Sequence, residues 1–329
     1  EHVVAARPTI QRAAYGLDVR ASKNSYVDRA IKLWKTNPGM SLTDFATDLL
    51  RTIDKELKSH GVPLFGWTFV SGAGAAGIFD SKDWKVKVNV SQFSSRATAT
   101  TLRDLTTAEI TEIVGTLYHE ARHTDQDVLI IRSLLDQKKS VDQIFAATSM
   151  RKDVIEAVAK TTYRKALDAD QRTHAGRMFD VMYGIHKEFL EFLMRHSAAV
   201  DGLGQLAQQG SSLAGASPHV TTLRTWQTSV LQPKLKQLTA IKKATSAEKA
   251  LLLGLQKVDS SLTSLWAGWT TVTGTKNPDP ADVDDVRDAA AAAVTAIIDD
   301  TYKKLEGEAD AFRVEGDIKR AFTQKAAKR

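Results

Sequence analysis

Leu117-Tyr118-His119-Glu120-Ala121-Arg122-His123-Thr124-Asp125-Gln126 is the stretch from which the fold of this chain can be predicted. It holds two histidines four residues apart, with Glu120 directly after the first, and this is an H-E-x-x-H motif. Side chains four apart lie on one face of an α-helix, so the imidazoles of His119 and His123 can chelate one zinc ion. Glu120 can act as general base toward a water molecule that the ion activates. The motif therefore predicts a zinc site on a helix.

The residues around the motif predict that helix, from about Thr107 to Leu135. Thr106 with Glu109 three residues later is a capping-box pattern. Apolar residues then recur at the spacing of an amphipathic helix: Ile110, Ile113, Val114, Leu117, Val128, Ile131 and Leu134.

A region of alternating apolar and polar residues precedes this helix. Phe65, Trp67 and Phe69 alternate with smaller residues, and Ile78-Phe79 and the segment from Trp84 to Val90 follow. This period of two predicts two or three antiparallel strands. The segment 84–90 is either a free edge for an extended peptide or an ordinary edge strand protected by its lysines.

Most of the remaining chain has a helical pattern. One helix is predicted from about Asn24 to Lys35, and Ser41 is expected to cap the next. From about 141 to 271 the pattern is helical, with breaks near Ser149, 202–215 and Thr245. After a loop at 277–280, Asp282 is expected to cap one long helix that ends near Phe322.

These patterns predict an α+β, predominantly helical fold in three segments. Residues 1–135 comprise the N-terminal helices, a small antiparallel sheet and the motif helix. Residues 136–280 form a helical insertion or cap lobe, and residues 281–329 a C-terminal helix that completes the metal site.

The composition limits the classes of function. The chain has 329 residues, a net charge of +6 and no cysteine, so a metal site must use histidines and carboxylates. No apolar run is long enough to span a membrane. The basic clusters lack interleaved aromatic residues, which favours a solvated surface over a nucleic-acid site.

The segment Leu305 to Phe312 resembles the gluzincin branch of zinc metallopeptidases. Glu306, Ala309 and Asp310 match the E-x-x-[AS]-D pattern of that branch. The resemblance implies that Glu306 is the third zinc ligand and that Asp310 holds His119 in its ligating tautomer. The alternative interpretation is an acidic patch on an exposed helix.

A more local resemblance links the chain to metallopeptidase-like domains of large bacterial toxin-like proteins, including cargo of contractile injection systems. It rests on the segment Ala30 to Gly39, on Tyr118 to His123 with Gln126, and on the Glu306 segment. It implies a domain of a larger polypeptide, cytoplasmic before export and then secreted or injected. The start at Glu1 rather than Met, without a leader pattern, indicates a fragment or a processed product.

Together these features predict a zinc-dependent endopeptidase with a zincin-like core, one zinc ion and a peptide or protein substrate. The rival hypothesis is a non-catalytic zincin-like binding or structural module of a secreted assembly. Candidates for contacts to the substrate or the transition state are Tyr302, Arg313, Gln126, Tyr183 and His186.

Overall fold

The computed structural model describes residues 16–72, 75–94, 96, 98–161, 167–184, 187–244 and 246–328. Within these ranges the chain is mainly helical with one small sheet, which confirms the predicted α+β fold class. The helices are α1 (Arg20–Thr36), α2 (Leu42–Ser59), α3 (Thr107–Asp136), α4 (Val141–Thr148), α5 (Lys152–Lys160), α6 (Ala169–Met182), α7 (Lys187–Ala207), α8 (Leu213–Trp226), α9 (Gln232–Thr239), α10 (Ser246–Gly274), α11 (Pro280–Ile298) and α12 (Glu306–Ala327), and the strands are β1 (Gly66–Val70), β2 (Gly77–Asp80) and β3 (Lys85–Asn89).

The sheet is mixed, so the prediction of a purely antiparallel sheet was wrong. The strand order is β1-β3-β2, with β1 parallel to β3 and β2 antiparallel to it. Strand β3 is therefore the central strand and has no free edge, which excludes the predicted use of segment 84–90 for strand addition. The alternation of residues identifies strands but not which strands pair.

Helix α3 has the predicted position and the predicted cap. The Thr106 side chain accepts the backbone N–H of Glu109, and the Glu109 carboxylate accepts that of Thr106. Every residue from Leu117 to Leu134 is buried, so the middle of α3 is a central core helix rather than an amphipathic surface helix. Its neighbours include α2, α5, β2 and β3.

The predicted helix from Val283 to Phe322 is two helices. Asp279, not Asp282, caps α11, because its side chain accepts the N–H of Ala281 and Pro280 fits the first turn. Helix α11 ends at Ile298, where the Thr301 hydroxyl bonds the Ala296 carbonyl at 2.8 Å. Such side-chain bonds compete with helix continuation. A new helix begins at Glu306.

Other predicted boundaries fit to different degrees. Helix α1 begins four residues before the predicted Asn24, at Arg20. Ser41 caps α2 as predicted, and the break at Ser149 is present. Helix α7 continues through Gly202 to Ala207, so the second break is shorter than predicted. The predicted break at Thr245 lies outside the described residues.

The chain forms two compact units. The first comprises residues 1–71, 76–179 and 313–329, and the second residues 72–75 and 180–312. In the first, α3 is the central helix. In the second, α7 to α11 surround an apolar core that includes the stacked rings of Phe192 and Trp226, whose centroids are 3.7 Å apart. The predicted division into three functional segments stays a prediction.

Among the described helices, none combines the length and the apolarity that a bilayer crossing requires.

Candidate metal centre

The two motif histidines meet inside the first unit, on the buried part of α3. His119 is 3% exposed and His123 7%. Their Nε2 atoms are 3.3 Å apart. Two nitrogen ligands of a tetrahedral zinc ion, each at about 2.0–2.1 Å from it, lie roughly 3.3–3.4 Å apart. The spacing of the two nitrogens therefore fits a shared ion.

The opposite nitrogen of each imidazole faces an oxygen acceptor. Nδ1 of His119 is 3.0 Å from Oε2 of Glu315, and Nδ1 of His123 is 2.8 Å from Oε1 of Gln126. A carboxylate and a carbonyl oxygen accept only, so each Nδ1 carries the proton that it donates. In the neutral rings the Nε2 atoms then present lone pairs to each other, and these repel unless a cation lies between them.

A carboxylate completes the group. His119, His123 and Glu308 each offer one ligand atom, and these atoms lie within 4.8 Å of one another. The two histidines are buried and Glu308 is half-buried. Two imidazoles and a carboxylate are a common donor set for zinc, and a chain without cysteine has no thiolate alternative. These three side chains can hold one metal ion.

Glu308, and not the predicted Glu306, belongs to this group. The two residues are two positions apart on α12, so their side chains point about 160° apart around the helix. Glu306 as third ligand therefore stays a prediction that needs a direct test.

Glu120 contacts the sheet. Its Oε2 accepts the backbone N–H of Phe79 in β2 at 2.8 Å. A Cβ atom on Gly77 would lie 2.6 Å from Cγ of Glu120, so only glycine lets β2 approach the helix this closely. Glu120 is 9% exposed and is not one of the three residues of the metal-ligating group.

Glu315 belongs to a chain of charges. Its Oε1 is 2.7 Å from Nζ of Lys319, which in turn is 2.5 Å from Oε2 of Glu112. Burial alone would raise the pKa of Glu315, but the hydrogen bonds from His119 and Lys319 outweigh burial and lower it. Burial likewise acts to lower the pKa of Lys319, and the bonds to Glu112 and Glu315 raise it overall. Both groups are therefore charged at neutral pH.

The remaining predicted residues lie in varied settings. Gln126 is buried against His123, which places it beside the site in a positioning contact. Arg313 forms a two-pronged ion pair with Asp18. Tyr302 packs edge-on against Phe312, with ring centroids 6.1 Å apart. Asp310 is fully buried. The predicted roles of these residues, in contacts to the substrate and in orienting His119, stay predictions.

Tyr183 is half-buried just beyond α6, and His186 lies outside the described residues. Arg122 forms an ion pair with Asp125.

Sequence reasoning missed Glu308 and Glu315. They are seven residues apart, close to two full helical turns, and so share one face of α12. That spacing was the signal that could have identified them. It was weak, because α12 carries several acidic residues and the family pattern directed attention to Glu306 and Asp310.

Comparison of the chain with protein-family models, with curated proteins and with solved structures finds no match.

Proposed function

We propose that this protein is a zinc-dependent peptidase whose ion is held by His119, His123 and Glu308. The observation that carries the proposal is the convergence of the two Nε2 atoms at 3.3 Å, with an acceptor oxygen on each Nδ1. With Nδ1 as the donor in each ring, both Nε2 atoms have a lone pair for a metal ion, and an ion shared by the two nitrogens would account for their separation.

The roles of the side chains follow from their positions. A bound zinc ion would polarise a substrate carbonyl and acidify a water molecule. Glu120 is next to the first ligand in sequence, is buried, and is not itself in the ligand group. Its carboxylate takes a proton from the attacking water and passes it to the leaving amine. The bond from Phe79 fixes the direction from which Glu120 acts.

An extended peptide is the substrate class that the sheet supports, and β2 rather than β3 is the strand involved. In the β2–β3 ladder, Ala76 accepts a bond from Asn89 of β3. Alternate residues of an antiparallel strand face opposite edges, so the backbone groups of Gly77 and Phe79 face away from β3. The bond from Phe79 to Glu120 agrees with this direction. A peptide pairing along this edge would lie beside the general base.

The gluzincin resemblance supports the same reaction, and the resemblance to bacterial toxin-like proteins supports an exported domain with a target protein in a recipient cell. These finer statements rest on the sequence segments alone. The second candidate is a non-catalytic metal-binding module. The hydrogen bond between Phe79 and Glu120 favours it, because a carboxylate that anchors a strand can have a purely structural role.

Hydrolysis of a fluorogenic peptide library by the zinc-loaded protein separates the two candidates. The peptidase proposal expects cleavage in the wild type and a loss of roughly 100-fold or more in Glu120→Gln, which keeps the shape of the side chain but cannot take a proton. Zinc content should be equal in both proteins. Zinc binding without cleavage of any library member would support the structural module instead.

A further inference from the structure

We infer that Glu315 is a positioning residue for His119, holding its imidazole in the tautomer that can bind a metal. The inference rests on the proposed metal site, and it assigns a role to a residue that the sequence motifs do not include. Glu315 touches neither substrate nor ion in this account. It acts through Nδ1 of His119, 3.0 Å from its Oε2.

The contact between Glu315 and His119 lies where α12 packs against α3. Glu112, Gly115 and His119 lie at positions i, i+3 and i+7 of α3 and so form one stripe. Glu315 and Lys319 lie one turn apart on α12 and face that stripe. Glu112 of α3 therefore pairs with Lys319 of α12, and His119 of α3 pairs with Glu315 of α12.

Gly115 makes this approach possible. A Cβ atom at this position would be 2.4 Å from Cε of Lys319 and 3.1 Å from Cγ of Glu315. The stems of both α12 side chains therefore lie directly against the backbone of α3. Glycine supplies the space at the point where the carboxylate must reach the imidazole.

The carboxylate of Glu315 divides its two oxygens between two partners. Oε2 faces His119 and Oε1 faces Lys319. The ammonium group keeps the carboxylate charged and restricts its rotation, so it presents only an acceptor to Nδ1. The side chains of His119 and Glu315 are 4% and 10% exposed, so water competes little for this bond.

The resemblance-based prediction gave this role to Asp310 instead. On α12, Asp310 and Glu315 are five positions apart, so their side chains point about 140° apart. The described hydrogen bond of Nδ1 of His119 is to Glu315. The two assignments therefore make opposite predictions for matched variants.

The primary test is the tautomer of His119 in the metal-free wild-type protein, read from long-range ¹H–¹⁵N NMR spectra. The spectra are recorded about 2 pH units above the ordinary histidine pKa of ~6.5. The His119 signals are assigned from their absence in His119→Gln. We expect a protonated Nδ1 and an unprotonated Nε2.

The variants test the cause. Glu315→Ala should shift His119 toward the Nε2–H tautomer that free histidine favours and should weaken zinc binding by about 10- to 100-fold, measured by chelator competition. Glu315→Gln offers an amide oxygen in the same place and should restore much of the tautomer. Asp310→Asn and Asp317→Asn, carboxylate deletions on the same helix, should leave the tautomer of His119 unchanged.

Three results would overturn the inference: an Nε2–H tautomer in the wild type, an unchanged tautomer in Glu315→Ala, or a shift caused by Asp310→Asn alone. The wild-type spectrum tests the inference even if a variant does not fold. If the tautomer depends on Glu315 as expected and no zinc binds, the proposed function fails while the positioning role stands.

Discussion

Residue spacing within one helix made His119, Glu120 and His123 recognisable, whereas the third ligand depends on a second helix. Nothing local to Glu306 or Glu308 specifies which of them faces α3, because that depends on the rotation of α12 about its axis. A difference of two positions reverses the face. A family pattern identifies the ligand position correctly only if the helix has the same rotation about its axis as in that family.

Paired variants of these two glutamates test the ligand assignment. Glu308→Gln should lower zinc affinity by roughly 100-fold or more, because a carboxylate ligand is replaced by a weakly coordinating amide. Glu306→Gln is the matched control and should change the affinity less than about 3-fold, a difference that ordinary surface charge can account for. The affinities are measured by competition with a chromophoric chelator. The reverse order would assign the ligand to Glu306.

The element that brings the sheet to the site is β2. Its Gly77 lies against Glu120, and the next residue but one, Phe79, donates to that side chain. Gly77→Ala should therefore displace β2 from α3 and destabilise the protein by about 1–3 kcal/mol. Thermal unfolding measures the loss.

Gly176→Ala provides the control for that substitution. A Cβ at Gly176, within α6, would meet no heavy atom within 4 Å. Alanine in an open helical position should leave stability unchanged or raise it by roughly 0.5–1 kcal/mol. An equal loss in both variants would contradict the close-contact explanation for Gly77.

In the second unit, a π-helical segment from Gln227 to Leu231 joins α8 to α9. The buried amide of Gln227 donates to Oδ1 of Asp259 at 2.8 Å and to the Thr263 hydroxyl at 2.9 Å, and it accepts from Arg224. Gln227→Ala removes these hydrogen bonds and should destabilise the protein by about 1–3 kcal/mol. Urea unfolding followed by tryptophan fluorescence measures it. A change below about 0.5 kcal/mol would contradict a structural role for this network.

Elements whose signals are local could be predicted from the sequence. The caps at Ser41 and Thr106 depend on residues three positions apart, and both are present. The parallel pairing of β1 with β3 depends on contacts that lie far apart in the sequence. At the helix break before Glu306, the Thr301 hydroxyl donates to the backbone carbonyl of Ala296. Such features have no periodic signature.

Within the first unit, ion pairs connect segments that are far apart in the sequence. Asp18 accepts bonds from Lys23 and from Arg313, which is 295 residues away. Burial would raise the pKa of Asp18, but these partners outweigh burial and lower it below 3.8. A lowered folded-state pKa means that the stabilisation is fully present above the unfolded value, ~3.9, and is lost as pH falls through the folded value.

Asp18→Asn should therefore destabilise the protein by about 1–3 kcal/mol at neutral pH. The difference from wild type should begin to shrink below about pH 4, where the unfolded wild-type chain takes up a proton at Asp18, and it should be lost once the pH falls below the lower folded-state pKa. Thermal unfolding across a pH series measures both effects. A difference that stays constant down to pH ~2 would show that Asp18 contributes by packing rather than by charge.

We propose that His119 and His123, with one carboxylate of α12, form a single metal site. Its most direct test is the zinc content of the purified chain after zinc loading and removal of loosely bound ions, measured by plasma mass spectrometry. The wild type should retain about one zinc ion per chain, and His119→Ala almost none. A wild-type protein without zinc, or a His119→Ala protein with the same content as the wild type, would contradict the claim.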